Sequence, residues 1–137
     1  MTAIRAATAA LTLLCATVAH TSRVTAQSAG VEAAISEASL VWRLNPEQLR
    51  CLARREATFN PNAVSPGGHV GIAQFLWSTW NAGKREARNP ADPSWPLLPP
   101  DATPFNPREA LLLAGWFIAT GAHGGARNWS TLPWCPR

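Results

Sequence analysis

Apolar positions in this chain return with helical spacing in four stretches, and no strand alternation or internal repeat is credible. From Gly30 to Trp42, Val31, Ile35, Ala38 and Trp42 share one side of a predicted helix. A second is predicted from Asn45, an N-cap followed by Pro46 at the first helical position and Glu47 in the first turn. Its Leu49, Leu52, Ala53 and Glu56 fall at i, i+3, i+4 and i+7, so a carboxylate shares the core-facing stripe. Arg50, Arg54 and Arg55 face elsewhere, as a solvated surface, and Cys51 falls on the face opposite the stripe. A third helix is read from Gly71 to about Glu86, turning Ile72, Phe75, Leu76, Thr79 and Trp80 inward. The fourth opens at Asn106-Pro107-Arg108-Glu109, a cap with Glu at the third position, and runs through Leu111 to about Thr120 before Gly121 stops it.

Breakers fill the rest. Seven of the twelve prolines lie between Pro90 and Pro107, a density that excludes a helix or a central strand and predicts an ordered surface loop or flap. The segment from His123 to Arg137 is rich in Gly, Trp and Pro and reads as irregular. The fold class is therefore all-α, a small helical domain.

The N-terminus changes the boundaries. Met1 to Arg5 is a short positive segment, Ala6 to Ala19 is apolar or small, and Val24-Thr25-Ala26 fits a cleavage site before Gln27. Residues 1–26 thus read as a signal peptide, too short in its apolar run to span a bilayer. An exported domain, 27–137, is expected in the periplasm or outside the cell, without stable membrane insertion. It keeps about +2 of the formal +4 charge, which suits an anionic wall polymer but lacks the dense basic stripe of a nucleic-acid binder. Cys15 leaves with the leader. The remaining pair, Cys51 and Cys135, reads as a disulfide in an oxidising compartment, worth about 4 kcal/mol for a loop of that length.

The chemistry concentrates on Glu56. It sits near the end of a helix that must stop before Pro61, above an apolar stripe, and both settings disfavour its anion. A Pro/Ser/Gly loop follows, and then Gln74. Taken alone, a Glu at a helix end is more often a cap or ion-pair partner. The whole stretch, however, resembles the soluble lytic transglycosylase family, lysozyme-like enzymes that cut peptidoglycan. Glu56, Phe59, Pro61, Ala63, Ser65, Gly68, Gly71 and Gln74 match that family's pattern without a gap. The resemblance covers Glu47 to Trp80 and extends to Phe105–Phe117.

By that resemblance Glu56 is acid and then base. It protonates the leaving oxygen of a MurNAc-GlcNAc β-1,4 bond, then deprotonates the C6 hydroxyl of the same muramoyl sugar to close a 1,6-anhydro ring. Gln74 becomes a substrate contact, Ser65 a loop-ordering residue beside the glycan, and Phe59 and Gly71 parts of the same wall. The glycines are expected to allow positive φ and close approach to the sugar. The sequence departs from the family in having Ala57 where a Ser follows the Glu, Ala73 where Met precedes Gln, and His69 where a small residue is common. It also lacks an Ala-Tyr-Asn-Ala-Gly stretch.

Other candidates weigh less. A hydrolytic lysozyme needs a second acid, and downstream only Glu86, Asp92, Asp101 and Glu109 are on offer. Among the seven tryptophans, Trp77 and Trp95 are the expected sugar platforms, while Trp80 and Trp116 read as core. His69 and His123 lack zinc-site spacing, so no metal and no cofactor is expected. Asn128-Trp129-Ser130 matches a glycosylation sequon, a pattern common by chance. The expected partner is the peptidoglycan glycan strand, bound by a monomer, with secretion or conjugation machinery as a further candidate. A hydrolytic muramidase, or a catalytically weak glycan-binding module, is the alternative reading.

Overall fold

The computed structural model describes residues 26–137, in which α1 covers 26–42, α2 Pro46–Ala57, α3 Trp77–Glu86 and α4 Pro107–Thr120. The leader expectation falls on residues 1–25, outside the described residues, except for Ala26, which is already helical. Among the described residues no helix is long and apolar enough to cross a membrane.

α4 is the hub. Its residues from Ala110 to Phe117 are all buried, as befits a helix apolar all round. The same buried cluster contains Val31, Ala34, Ile35 and Ala38 of α1, Leu49, Leu52 and Ala53 of α2, and Trp80 of α3. Trp42 is drawn in by an indole N–H donated to the Leu112 carbonyl at 2.8 Å. Its ring lies so near Gly115 that a Cβ there would stand 2.4 Å from Trp42 Cδ1.

The helix starts follow their caps. Asn45 accepts the Glu47 N–H at 2.9 Å, and Asn106 accepts that of Arg108 at 3.0 Å. Glu109 does not close a capping box; its carboxylate instead accepts the Thr103 N–H at 2.8 Å and ties down the loop before α4. Two forked ion pairs fasten α1, Arg50 to Glu32 and Arg108 to Glu37. Arg50 is therefore paired rather than merely solvated, and its hydrogen bonds hold the Glu32 carboxyl below the usual range. Such a depressed group adds stability above its unfolded pKa and loses it as pH falls through the folded one. For a pair this exposed the gain is at most about 1 kcal/mol.

The proline-rich stretch departs from expectation by forming a hairpin. β1 (Arg88–Asn89) pairs antiparallel with β2 (Asp92–Pro96). Asn89 and Asp92 shape the turn by accepting the N–H groups of Ala91 and Ser94. An exposed two-stranded edge tolerates proline because the lost donors face water. Beyond it the segment is anchored rather than flap-like. Leu98, Ala102 and Pro104 are buried, and Lys84 donates to the Pro100 carbonyl at 2.8 Å.

The third predicted helix starts six residues late. Residues 71–74 form turns, and Phe75 bridges back to Val70. Leu76, expected inside, is exposed as the residue before α3.

Candidate active site

Glu56 occupies the last turn of α2, half-buried, with Arg54 and Arg55 exposed to either side of the core stripe. The helix ends in two consecutive left-handed residues, Thr58 (φ 49°) and Phe59 (φ 61°). Their N–H groups return to the carbonyls of Arg54 and Ala53 at 3.0 and 3.1 Å. A β-branched residue in this region is an outlier of the kind that collects around functional sites. The turn leads the chain away from Glu56 into a compact loop.

That loop is stitched by backbone and side chains together. Ser65 Oγ accepts the His69 N–H at 3.1 Å and lies 3.2 Å from His69 Nδ1, closing a tight turn. Val64 bridges Val70 across it. Gln74, itself left-handed at φ 48°, donates its amide to the carbonyls of Gly71 (2.9 Å) and Ala63 (3.3 Å). Ser65 is thus a loop-ordering residue, and the Gln74 NH₂ group serves the loop rather than facing outward.

Gly71 has the expected positive φ of 77°, but its close neighbour is the chain itself. A Cβ there would lie 2.0 Å from the Pro104 carbonyl oxygen. Gly71→Ala is therefore expected to cost about 3 kcal/mol, from backbone overlap and left-handed strain together. Chemical denaturation followed by circular dichroism would show the lowered midpoint.

The segment after α4 comes back beneath this loop. Trp129 is buried, donates its indole N–H to the Ala73 carbonyl at 2.6 Å and packs edge-on against Phe75. Two residues on, the Thr131 hydroxyl donates to Glu56 Oε1. Cys135 then joins Cys51 in the expected disulfide, and Cys51 is part of the core rather than on an outer face.

A small hollow of about 80 Å³ is lined by His69, Gln74, Thr79, Asn128 and Trp129 among others. Glu56 is not one of its lining residues. The link between them is the tail, which contributes Trp129 to the hollow and Thr131 to the carboxylate. Trp77 opens α3 beside this hollow, 47% exposed and edge-on to Phe105 at 6.2 Å. Trp95 stands on β2, 65% exposed, away from the hollow's lining. Phe59 is partly buried against the core and lines a different hollow, with Ser28, Val31 and Glu32. The structure therefore gathers Gln74, Ser65 and Gly71 in one loop with Trp77 at its edge, and leaves Phe59 and Trp95 elsewhere.

Trp129, Asn128 and Thr131 were not singled out as site residues by sequence. A usable signal existed. If Cys135 meets Cys51, a tail running antiparallel to α2 brings Thr131, four residues back, to Glu56, five residues forward.

The remaining acids are engaged elsewhere or exposed. Glu86 contacts His123 at 2.7 Å, Asp92 is held by Ser94, Glu109 by Thr103, and Asp101 is exposed in a turn. The hydrogen bond from the Ser94 hydroxyl also keeps Asp92 below its ordinary pKa.

Neither a curated protein nor a solved structure matches this chain. The family model of the transglycosylase SLT domain matches residues 33–115, spanning Glu56, the loop that follows it and most of α4. With well over half of the chain so matched, the protein belongs to the transglycosylase SLT domain family, lysozyme-like helical domains of the lytic-transglycosylase type that cleave peptidoglycan outside the cytoplasm.

Proposed function

We propose that this domain cuts the MurNAc-GlcNAc β-1,4 bond of peptidoglycan by an internal transfer, with Glu56 as its only acid and base. The observation that carries the reading is a half-buried carboxylate in the last turn of α2, inside the family match, with the other downstream acids occupied elsewhere or exposed. Protonated Glu56 gives its proton to the bridging oxygen as the bond from the muramoyl C1 breaks. The resulting carboxylate takes the proton of the C6 hydroxyl on the same sugar, and that oxygen bonds to C1. Glu56 ends protonated and the glycan ends in a 1,6-anhydro ring, with no water consumed.

The Gln74 loop and Trp77 form the wall on which the glycan lies in this reading. Trp77→Ala is expected to raise KM about three- to tenfold with kcat little changed, as loss of ring stacking removes binding common to ground and transition states. Turnover of a defined glycan oligomer over a range of concentrations separates the two constants. Export through a leader ending at Ala26 and action as a monomer complete the proposal. Cleavage after Ala26 would keep residues 27–42 of α1. A secretion or conjugation apparatus that needs a local gap in the wall is a fitting client.

The test is mass spectrometry of muropeptides released from purified peptidoglycan by the oxidised domain. Anhydro-muramoyl ends support the internal transfer. Reducing ends would replace it with hydrolysis, and no release from folded protein would leave a glycan-binding module.

A further inference from the structure

We propose that Thr131 is the positioning residue of the reactive carboxylate, its hydroxyl fixing which oxygen of Glu56 faces the substrate. The inference rests on Glu56 being the acid, and it adds a residue from outside the family-matched segment, which ends at 115. The contact is direct: Thr131 Oγ1 donates to Glu56 Oε1 in a partly buried setting. An acid that must first give and then take a proton at one atom benefits from having its other oxygen tied. With Oε1 engaged, Oε2 is the oxygen left to carry the transferred proton.

Thr131 is held firmly at the start of a short 3₁₀ helix, Leu132–Trp134, in a segment that the sequence alone marks as irregular. Trp129 and Leu132, on either side of it, are buried. Its own carbonyl accepts the Trp134 N–H at 3.1 Å, and the Leu132 carbonyl accepts that of Cys135 at 3.0 Å. The cystine then pins the segment to α2 one and a half turns before Glu56. Helix α2 cannot supply an equivalent donor from the next position, which is Ala57. A hydroxyl aimed from a pinned strut restricts the carboxylate rotamer in a way that solvent cannot.

The experiment compares wild type, Glu56→Gln, Thr131→Val and Thr131→Ser in the oxidised state, measuring kcat and KM for muropeptide release alongside thermal unfolding. The expected result is a kcat lowered roughly ten- to a hundredfold in Thr131→Val, with KM within about twofold, and recovery to within about twofold of wild type in Thr131→Ser. Should the Val variant not fold, Thr131→Ala carries the same comparison. An inactive Glu56→Gln beside a fully active Thr131→Val overturns the role of Thr131 and leaves the acid standing. A Ser variant as impaired as Val also overturns it, because packing of the methyl group would then be the contribution. An active Glu56→Gln removes the acid itself and the proposal with it.

Discussion

Glu56→Gln is expected to lower the rate of muropeptide release by about a thousandfold or more, the scale on which a positioned acid-base group contributes. The amide keeps the size of the side chain, and its oxygen can still accept the Thr131 hydroxyl. It cannot deliver a proton to a leaving oxygen or remove one from a hydroxyl. Stability should therefore change by less than about 1 kcal/mol while turnover collapses. Glu56→Ala is a poorer control, because it strands the half-buried Thr131 hydroxyl and opens space at the helix end. Parallel assays of turnover and of thermal unfolding on the same preparation would check both halves. Substantial activity in a folded Gln variant would move the chemistry to another residue.

Removing the cystine carries the second large effect. Cys51 and Cys135 are 84 residues apart, and a cross-link closing so long a loop restricts the unfolded chain by about 4 kcal/mol. For a domain of this size that corresponds to a melting point lowered by roughly 15 °C in a Cys51→Ala/Cys135→Ala double variant. The native-state cost is local, since both positions belong to the core and the tail depends on them for its seat. Thermal scans of the double variant, and of wild type with and without reductant, should agree. A shift of only a few degrees would mean that Trp129 and Leu132 hold the tail without help.

The parts of the fold legible in the sequence are those set by local chemistry. Asn45-Pro46-Glu47 and Asn106-Pro107 start helices because each Asn can satisfy a free N–H and each Pro lacks one. Gly121 ends α4 in the left-handed region that its neighbours avoid. Residues 71–76 misled because Ile72 and Phe75 are both buried at a spacing that suits a helix. Phe75 is instead engaged by a bridge back to Val70 and by the Trp129 ring, which lies 54 residues further along the chain. Gly71 has the expected positive φ, yet the neighbour that demands it, Pro104, lies in a loop whose path no periodicity reveals. Within the candidate site, Glu56 was legible through the stripe of α2, whereas Thr131 belongs to a stretch without pattern. Only the pairing of two cysteines could have carried it there.

The return of the tail also has a temporal side. Residues 129–135 leave the ribosome after α1 to α4, yet they supply the indole beneath Ala73, the hydroxyl on Glu56 and one half of the cystine. A fragment ending after α4 would still have an unfinished carboxylate environment. Completion of the candidate site is thus coupled to the emergence of this segment and to oxidation, so that a reduced chain would hold Glu56 without its hydroxyl partner fixed in place.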